Sequence, residues 1–370
     1  MLSRLARAGR WYCRTTAPQP TIARRTTLFI QYVEHLGRNI QASILSMRVN
    51  RTVPTLRQVL DLSVVIPTYN RAGALPRALE CLVCQDLDPE RYEIVVVDNN
   101  STDHTRDVVE AFAKKAPAVR YVFEPRQGIA YARNTGILTA LAPIIAFTDD
   151  DVRVARDWAT TILAVLATHP EAACVGGKVL PNRGVAWPTW LTREHWAPLA
   201  LLDYGEAPLQ ITGDRRLCLI TANVAYRREV LDQLGMFATH MAWLSDHEIL
   251  VRLWHAGGQG LYWPQLAATA DVVPQRLRRH YHRRWHRRHG RFTAMMHDED
   301  FERTQIGRFF GVPAHLYRLA ASHVAGWLAQ TVRRDSAKAF SHEVGLWSCV
   351  GFFAARWREF FSPNSSARPS

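Results

Sequence analysis

Lysine is almost missing from this chain. Of 46 basic residues only Lys114, Lys115, Lys178 and Lys338 are lysines, which leaves 42 arginines. Arginine is the better fork for phosphate, and here the positive charge is clustered rather than spread. Cysteine is scarce too: six in 370 residues, unevenly spaced, which excludes a disulfide framework. Cys81 and Cys84 form a C-x-x-C inside a helical pattern, with no second pair to complete a zinc site, so core cysteines are expected. No apolar run approaches the ~18–20 residues of a spanning helix. The basic N-terminus, with Trp11-Tyr12-Cys13, lacks the continuous apolar core of a signal peptide. These absences predict a cytoplasmic chain without a membrane span. What is present, 48% hydrophobic and 21% charged residues at a net charge of +13, suits a globular protein with a sizeable core.

Three stretches differ in texture. Residues 1–60 are Arg-rich, hold Pro18 and Pro20, and read as a basic extension, partly helical or disordered. From 61 to 291 short apolar strands alternate with amphipathic helices. Leu62–Pro67 is a strand stopped by proline, and Leu75, Ala78, Leu79 and Leu82 then mark one helical face. Strands follow at 94–97, 119–123, 143–147, 173–179 and 220–226, with helices near 103–115, 128–141, 156–168, 228–234 and 246–255. This alternation predicts an α/β fold, a mostly parallel sheet with helices on both faces. Residues 292–370 read as helices whose apolar faces are interrupted by arginines, suited to a membrane surface.

Two strands end in acid. Ile94–Val97 runs into Asp98, Asn99 and Asn100, and Pro143–Phe147 runs into Thr148-Asp149-Asp150-Asp151. Three adjacent carboxylates at the end of a buried strand repel one another and lose solvation, so stability does not ask for them. A divalent cation bridging phosphate oxygens would neutralise them. Acid-ended strands also place a site along the carboxyl edge of an open sheet. The bland alternative is helix capping.

These residues resemble a family 2 glycosyltransferase with the GT-A fold. Val64–Asn70, Val95–Asp103, Gly128–Asn134 and Phe147–Asp151 come in the family's order and spacing. Gly176-Gly177, Ala222-Asn223 and Asp246-x-Glu248-x-x-x-Arg252-Leu253 follow. The resemblance implies an inverting enzyme using a nucleotide-diphosphate sugar, typically a UDP-sugar. Pro67, Thr68, Tyr69, Asn70 and Arg71 would line the nucleotide pocket, with Asp98 on the base and Asn100, Arg133 and Asp150 at the donor. Asp149 and Asp151 would hold Mg²⁺ or Mn²⁺, and Asp246 would be the catalytic base, with Glu248 nearby for acceptor contact or capping. Many relatives carry an acid where Ser245 stands. Asp271 falls about where relatives place a histidine near the metal; it either ligates the ion or sits in a turn before Pro274.

Arg276 to Arg291 holds eight arginines and four histidines, with Tyr281 and Trp285 among them. Gripping a diphosphate or phospholipid-linked acceptor, docking on anionic headgroups, and nucleic-acid binding are open, the last least favoured. The histidines would add charge below about pH 6.5. The combined expectation is a glycosyltransferase in cell-envelope polysaccharide or glycolipid synthesis, peripheral at the cytosolic face of the plasma membrane, acting on a glycan or lipid-linked acceptor. A nucleotidyltransferase is the alternative, disfavoured because Pro67–Asn70 supplies no Gly-rich triphosphate loop. A non-catalytic membrane or nucleic-acid module is the other.

Overall fold

The computed structural model describes residues 60–241, 243–302 and 307–362. The extension expected over 1–60 therefore lies, Leu60 apart, outside the described residues. The strands of the main sheet are β1 (Leu62–Thr68), β2 (Tyr92–Asp98), β3 (Val119–Phe123), β4 (Ile144–Thr148), β6 (Ala172–Gly176), β8 (Leu209–Ile211), β9 (Asn223–Arg227) and β10 (Gln259–Tyr262). They form one eight-stranded sheet in the order β3-β2-β1-β4-β9-β6-β10-β8. A smaller sheet joins β5 (Val152–Val154), β11 (Ala268–Ala270) and β7 (Val179–Pro181).

Every residue of β1 and β2 is buried, as near-continuous apolar strands covered on both faces require. The helix Leu75–Val83 buries Leu75, Ala78, Leu79 and Leu82, the face that its spacing marks. Strands β3, β2, β1 and β4 are parallel, but β9 runs antiparallel between β4 and β6, and β8 is antiparallel to β10. The strand expected at 173–179 breaks after Gly176. A methyl group on Gly177 would lie 1.7 Å from the Leu266 carbonyl oxygen, so only glycine fits there. Asn223 clamps this break. Its Nδ2 donates to the Lys178 and Leu266 carbonyls at 2.9 and 2.8 Å, and its Oδ1 accepts from Trp158 Nε1 at 2.8 Å.

The boundary expected at 291 falls inside one helix, Arg279–Met296. That helix packs against Ser336–Phe360 so closely that methyl groups on Gly290 and Gly351 would lie 1.8 and 1.9 Å from Ser348 and Arg287 carbonyl oxygens. A third helix, Ala314–Val332, lies along Ser336–Phe360, with Gly326 against His342 and His323 against Gly345. Three of the four histidines of the basic helix do not titrate as their free side chains would. Burial lowers His282 to about 4, His286 to about 3 and His289 to about 4, so they stay neutral where charging was expected. The cysteine expectation is corrected for one of the pair: Cys81 is half-buried against the core, whereas Cys84 is exposed, both as free thiols.

Candidate active site

Parallel pairing brings three strand ends side by side. In register, Thr68 faces Asp98, and β4 lies on the other side of β1, ending at Thr148. The loops beyond them meet at the carboxyl edge of the sheet. Asn70, in the left-handed region at φ 52°, donates its backbone N–H to Ser101 Oγ at 2.9 Å and accepts from the Thr102 N–H at 2.7 Å. Asn100 is exposed and left-handed as well, at φ 66°. Tyr69 is 48% exposed, an open ring beside this edge, and Pro67 is buried in β1.

The aspartate triplet has divided roles. Asp150 is buried, accepts from Thr68 Oγ1 at 2.7 Å and lies 3.8 Å from Arg71 Nε. Arg71 also reaches Asp151, its terminal nitrogen 3.8 Å from Oδ2. Burial, reinforced by Asp151 and Asp149, pushes Asp150 up to about 7 despite Thr68 and Arg71. Burial pushes Asp149 up to about 6, with Asp151 and Asp246 raising it and Arg133 and Arg276 lowering it. These influences bring the triplet, the expected base and three arginines, Arg71, Arg133 and Arg276, into one electrostatic site. Its negative charge is incompletely answered, which is the condition under which hard oxygen ligands take a divalent cation.

Asp246 lies in the first turn of the helix Ser245–His255, half-buried, with Oδ1 accepting from the His247 N–H at 3.0 Å. The preceding Leu244 is left-handed at φ 58° and the helix has no side-chain N-cap. Arg133 secures that end instead. Expected at the donor, its guanidinium is buried and donates to Ser245 Oγ at 2.9 Å and to Thr221 Oγ1. It ties the start of that helix to the segment just before β9 and leaves its charge acting on Asp149. Glu248 does not meet the site: it holds Arg252 at 2.6 Å, and Arg252 in turn donates to the Leu234 and Met236 carbonyls.

Asp98 is 2% exposed, and both its oxygens are engaged, accepting from the Ser101 N–H and the Tyr121 hydroxyl at 2.9 Å each. Asp271 is close to the triplet through its backbone, its N–H 3.3 Å from the Asp151 carbonyl oxygen. Its carboxylate, however, is paired with Arg153 at 2.5 Å and hydrogen-bonded by Asn182. Reading residues in sequence missed the Arg133–Ser245 link, since the two are 112 positions apart. It also missed His255, Asp298 and Asp300, whose ligand atoms lie within 4.8 Å of one another. Arg216 already bridges those two carboxylates. A cavity of about 550 Å³ beside them is lined by Glu248, Arg252, His255 and Asp300 but by none of the aspartates 149–151.

The fold is that of a GT-A glycosyltransferase. Residues 63–235 match glycosyl transferase family 2, and the chain carries a domain of that family. It is similar to a validoxylamine A glucosyltransferase of Streptomyces hygroscopicus subsp. limoneus, 43% identical over 118 residues, 31% of this chain and 26% of the relative. It is 29% identical over 181 residues to the succinoglycan biosynthesis protein ExoM of Rhizobium meliloti, covering 48% of this chain and 55% of that protein. These matches thus span from a quarter to somewhat over half of the relatives' lengths. In fold it resembles the mannosyltransferase PcManGT of Pyrobaculum calidifontis, solved with GDP-Man and Mn²⁺. The TM-score is 0.53 at 22% identity, over 83% of this chain and 88% of that one. No helix among the described residues is long and apolar enough to cross a membrane.

Proposed function

We propose that this protein transfers a sugar from a nucleoside-diphosphate donor to an acceptor hydroxyl, with inversion and with a divalent cation. Its proposed setting is cell-envelope polysaccharide or glycolipid synthesis at the cytosolic face of the plasma membrane, on a glycan or lipid-linked acceptor. The observation that carries the reading is the run Asp149–Asp151 directly after β4, with Thr68 and Arg71 on Asp150 and Arg71 on Asp151 as well. Names of relatives support it: one glucosylates validoxylamine A, another serves succinoglycan biosynthesis. The structural relative bound to GDP-Man and Mn²⁺ gives reason to try GDP-sugars beside UDP-sugars as donors.

In this reading Asp149 and Asp151 hold Mg²⁺ or Mn²⁺, and Asp271 supports the loop through Arg153. When bound, the ion stabilises the negative charge developing on the departing diphosphate. Asp150, turned towards Thr68 and Arg71, fixes the Arg71 guanidinium beside the diphosphate. Arg276 adds a second positive charge near Asp149. Tyr69, Asn70 and Asn100 border the nucleotide. Asp98 supports it through Ser101, since its own oxygens are already taken. Asp246, reachable from solvent at the start of its helix, accepts the proton of the attacking hydroxyl. Attack from the face opposite the diphosphate inverts the anomeric centre in one displacement.

The test is release of nucleoside diphosphate from a panel of UDP- and GDP-sugars with Mn²⁺ or Mg²⁺. Turnover of at least one donor, lost in Asp149→Asn and Asp246→Asn, is expected. Release of pyrophosphate would point to nucleotidyl transfer, and absence of turnover with any donor would refute the reading.

A further inference from the structure

The helix Ala314–Val332 is nineteen residues long and buries only Leu316. A helix this apolar is normally covered. Val324 (40% exposed), Trp327 (40%), Leu328 (53%) and Val332 (84%) point outward. Their spacing, i, i+3, i+4 and i+8, puts all four on one face. The adjoining face holds His323 and Gly326 against the helix Ser336–Phe360, so the apolar stripe has no partner among the described residues.

Charge indicates the covering surface. From Gly307 through Arg334 there is no carboxylate, whereas Arg318, Arg333 and Arg334 are exposed, the last two just past the outermost valine. Against a second copy, an isologous contact through this face would bring like charges together, and the acid that follows them, Asp335, is already paired with Lys338. An anionic surface answers them directly. The helix is too polar to span, carrying Arg318, two histidines and Gln330. Tryptophan and arginine are the side chains that settle at a headgroup boundary, ring in the acyl edge and guanidinium in the phosphates. The helix Arg279–Met296, which also packs on Ser336–Phe360, exposes Arg284, Arg287 and Arg291, and none of these three forms an ion pair among the described residues.

We propose that Val324, Trp327, Leu328 and Val332 insert into the headgroup–acyl boundary of an anionic phospholipid bilayer, with Arg318, Arg333 and Arg334 on its phosphates. This deepens the membrane-surface reading above and rests on it. Donor turnover is read separately, so either claim can fail alone.

The experiment is flotation of the full chain with vesicles of phosphatidylcholine alone or mixed with phosphatidylglycerol. Binding is expected only to the anionic vesicles, weakening as salt rises, with a blue shift of tryptophan emission. Arg333→Gln with Arg334→Gln is expected to lower partitioning roughly 30-fold, at about 1 kcal/mol per arginine near the surface. Val332→Glu, at a helix end where it cannot disturb packing, should lower it at least tenfold, and Leu328→Glu likewise, while nucleoside-diphosphate release without vesicles is unchanged. Three results would overturn the proposal. One is no binding to anionic vesicles, and another is binding that Val332→Glu leaves intact. The third is a stable dimer in solution that Leu328→Glu dissociates, which would assign the face to a second copy.

Discussion

Replacing Asp150 with asparagine should make the metal-free protein more stable and the working protein worse. Asp150 is 8% exposed and pushed from 3.8 to about 7. That displacement corresponds to about 4 kcal/mol against the charged form. Because the folded state holds a proton that the unfolded state releases between pH 3.8 and about 7, stability of the wild type falls as pH rises through that window. Above it the penalty is complete. Asparagine keeps an acceptor for Thr68 Oγ1 but carries no charge, so the gain should be near zero at about pH 4 and approach about 4 kcal/mol at about pH 8. A chain of this size should show it as a rise in Tm of roughly 5 °C. The assay is thermal unfolding of both proteins in chelator at the two pH values. With donor and Mn²⁺ at saturation the order should narrow or reverse, since binding to the folded wild type adds stability that the variant forgoes. Equal stability at the higher pH in chelator, or a gain of the same size at the lower, would refute the reasoning.

Other consequences are equally direct. Arg133→Met leaves the Ser245 and Thr221 hydroxyls without their charged donor and should cost about 3 kcal/mol. Since Ser245 precedes the base, kcat should fall more than KM for donor rises, and steady-state kinetics on the folded variant separates the two. Asp246→Asn should lose about 10²–10⁴ in kcat while titration calorimetry shows donor binding retained. Affinity for Mn²⁺ should rise from about pH 5 to about pH 7 and then level, because Asp149, held up at about 6, must shed its proton to meet the ion. Calorimetry in buffers of different ionisation enthalpy would read the released protons.

What could be read from residues alone was whatever depends on local pattern. Apolar runs that end in acid carry two signals at once: residues 94–97 and 143–147 showed their strand character and, through Asp98 and Asp149, the edge on which the candidate site lies. The helical face of Leu75, Ala78, Leu79 and Leu82 was equally plain. Direction was not: Val224-Ala225-Tyr226 has the same apolar pattern whether it runs with β4 or against it. The partners of Arg133, Asp98 and Asp271 are also set by tertiary contact, across 112 residues for Arg133 with Ser245 and 118 for Asp271 with Arg153. Charge density hid the helix Arg279–Met296, whose buried positions are only His282, Gly290, Phe292 and Ala294. Its His282, His286 and His289 face burial, so composition predicted a charge that the fold suppresses.

The most direct measurement is calorimetric titration of Mn²⁺ and nucleoside diphosphate into the full chain, its Asp149→Asn and its Asp151→Asn variants. The wild type should bind the diphosphate far more tightly with the ion present, and each substitution should abolish this dependence. Undiminished, metal-dependent diphosphate binding by both variants would contradict a cation site built on these two aspartates.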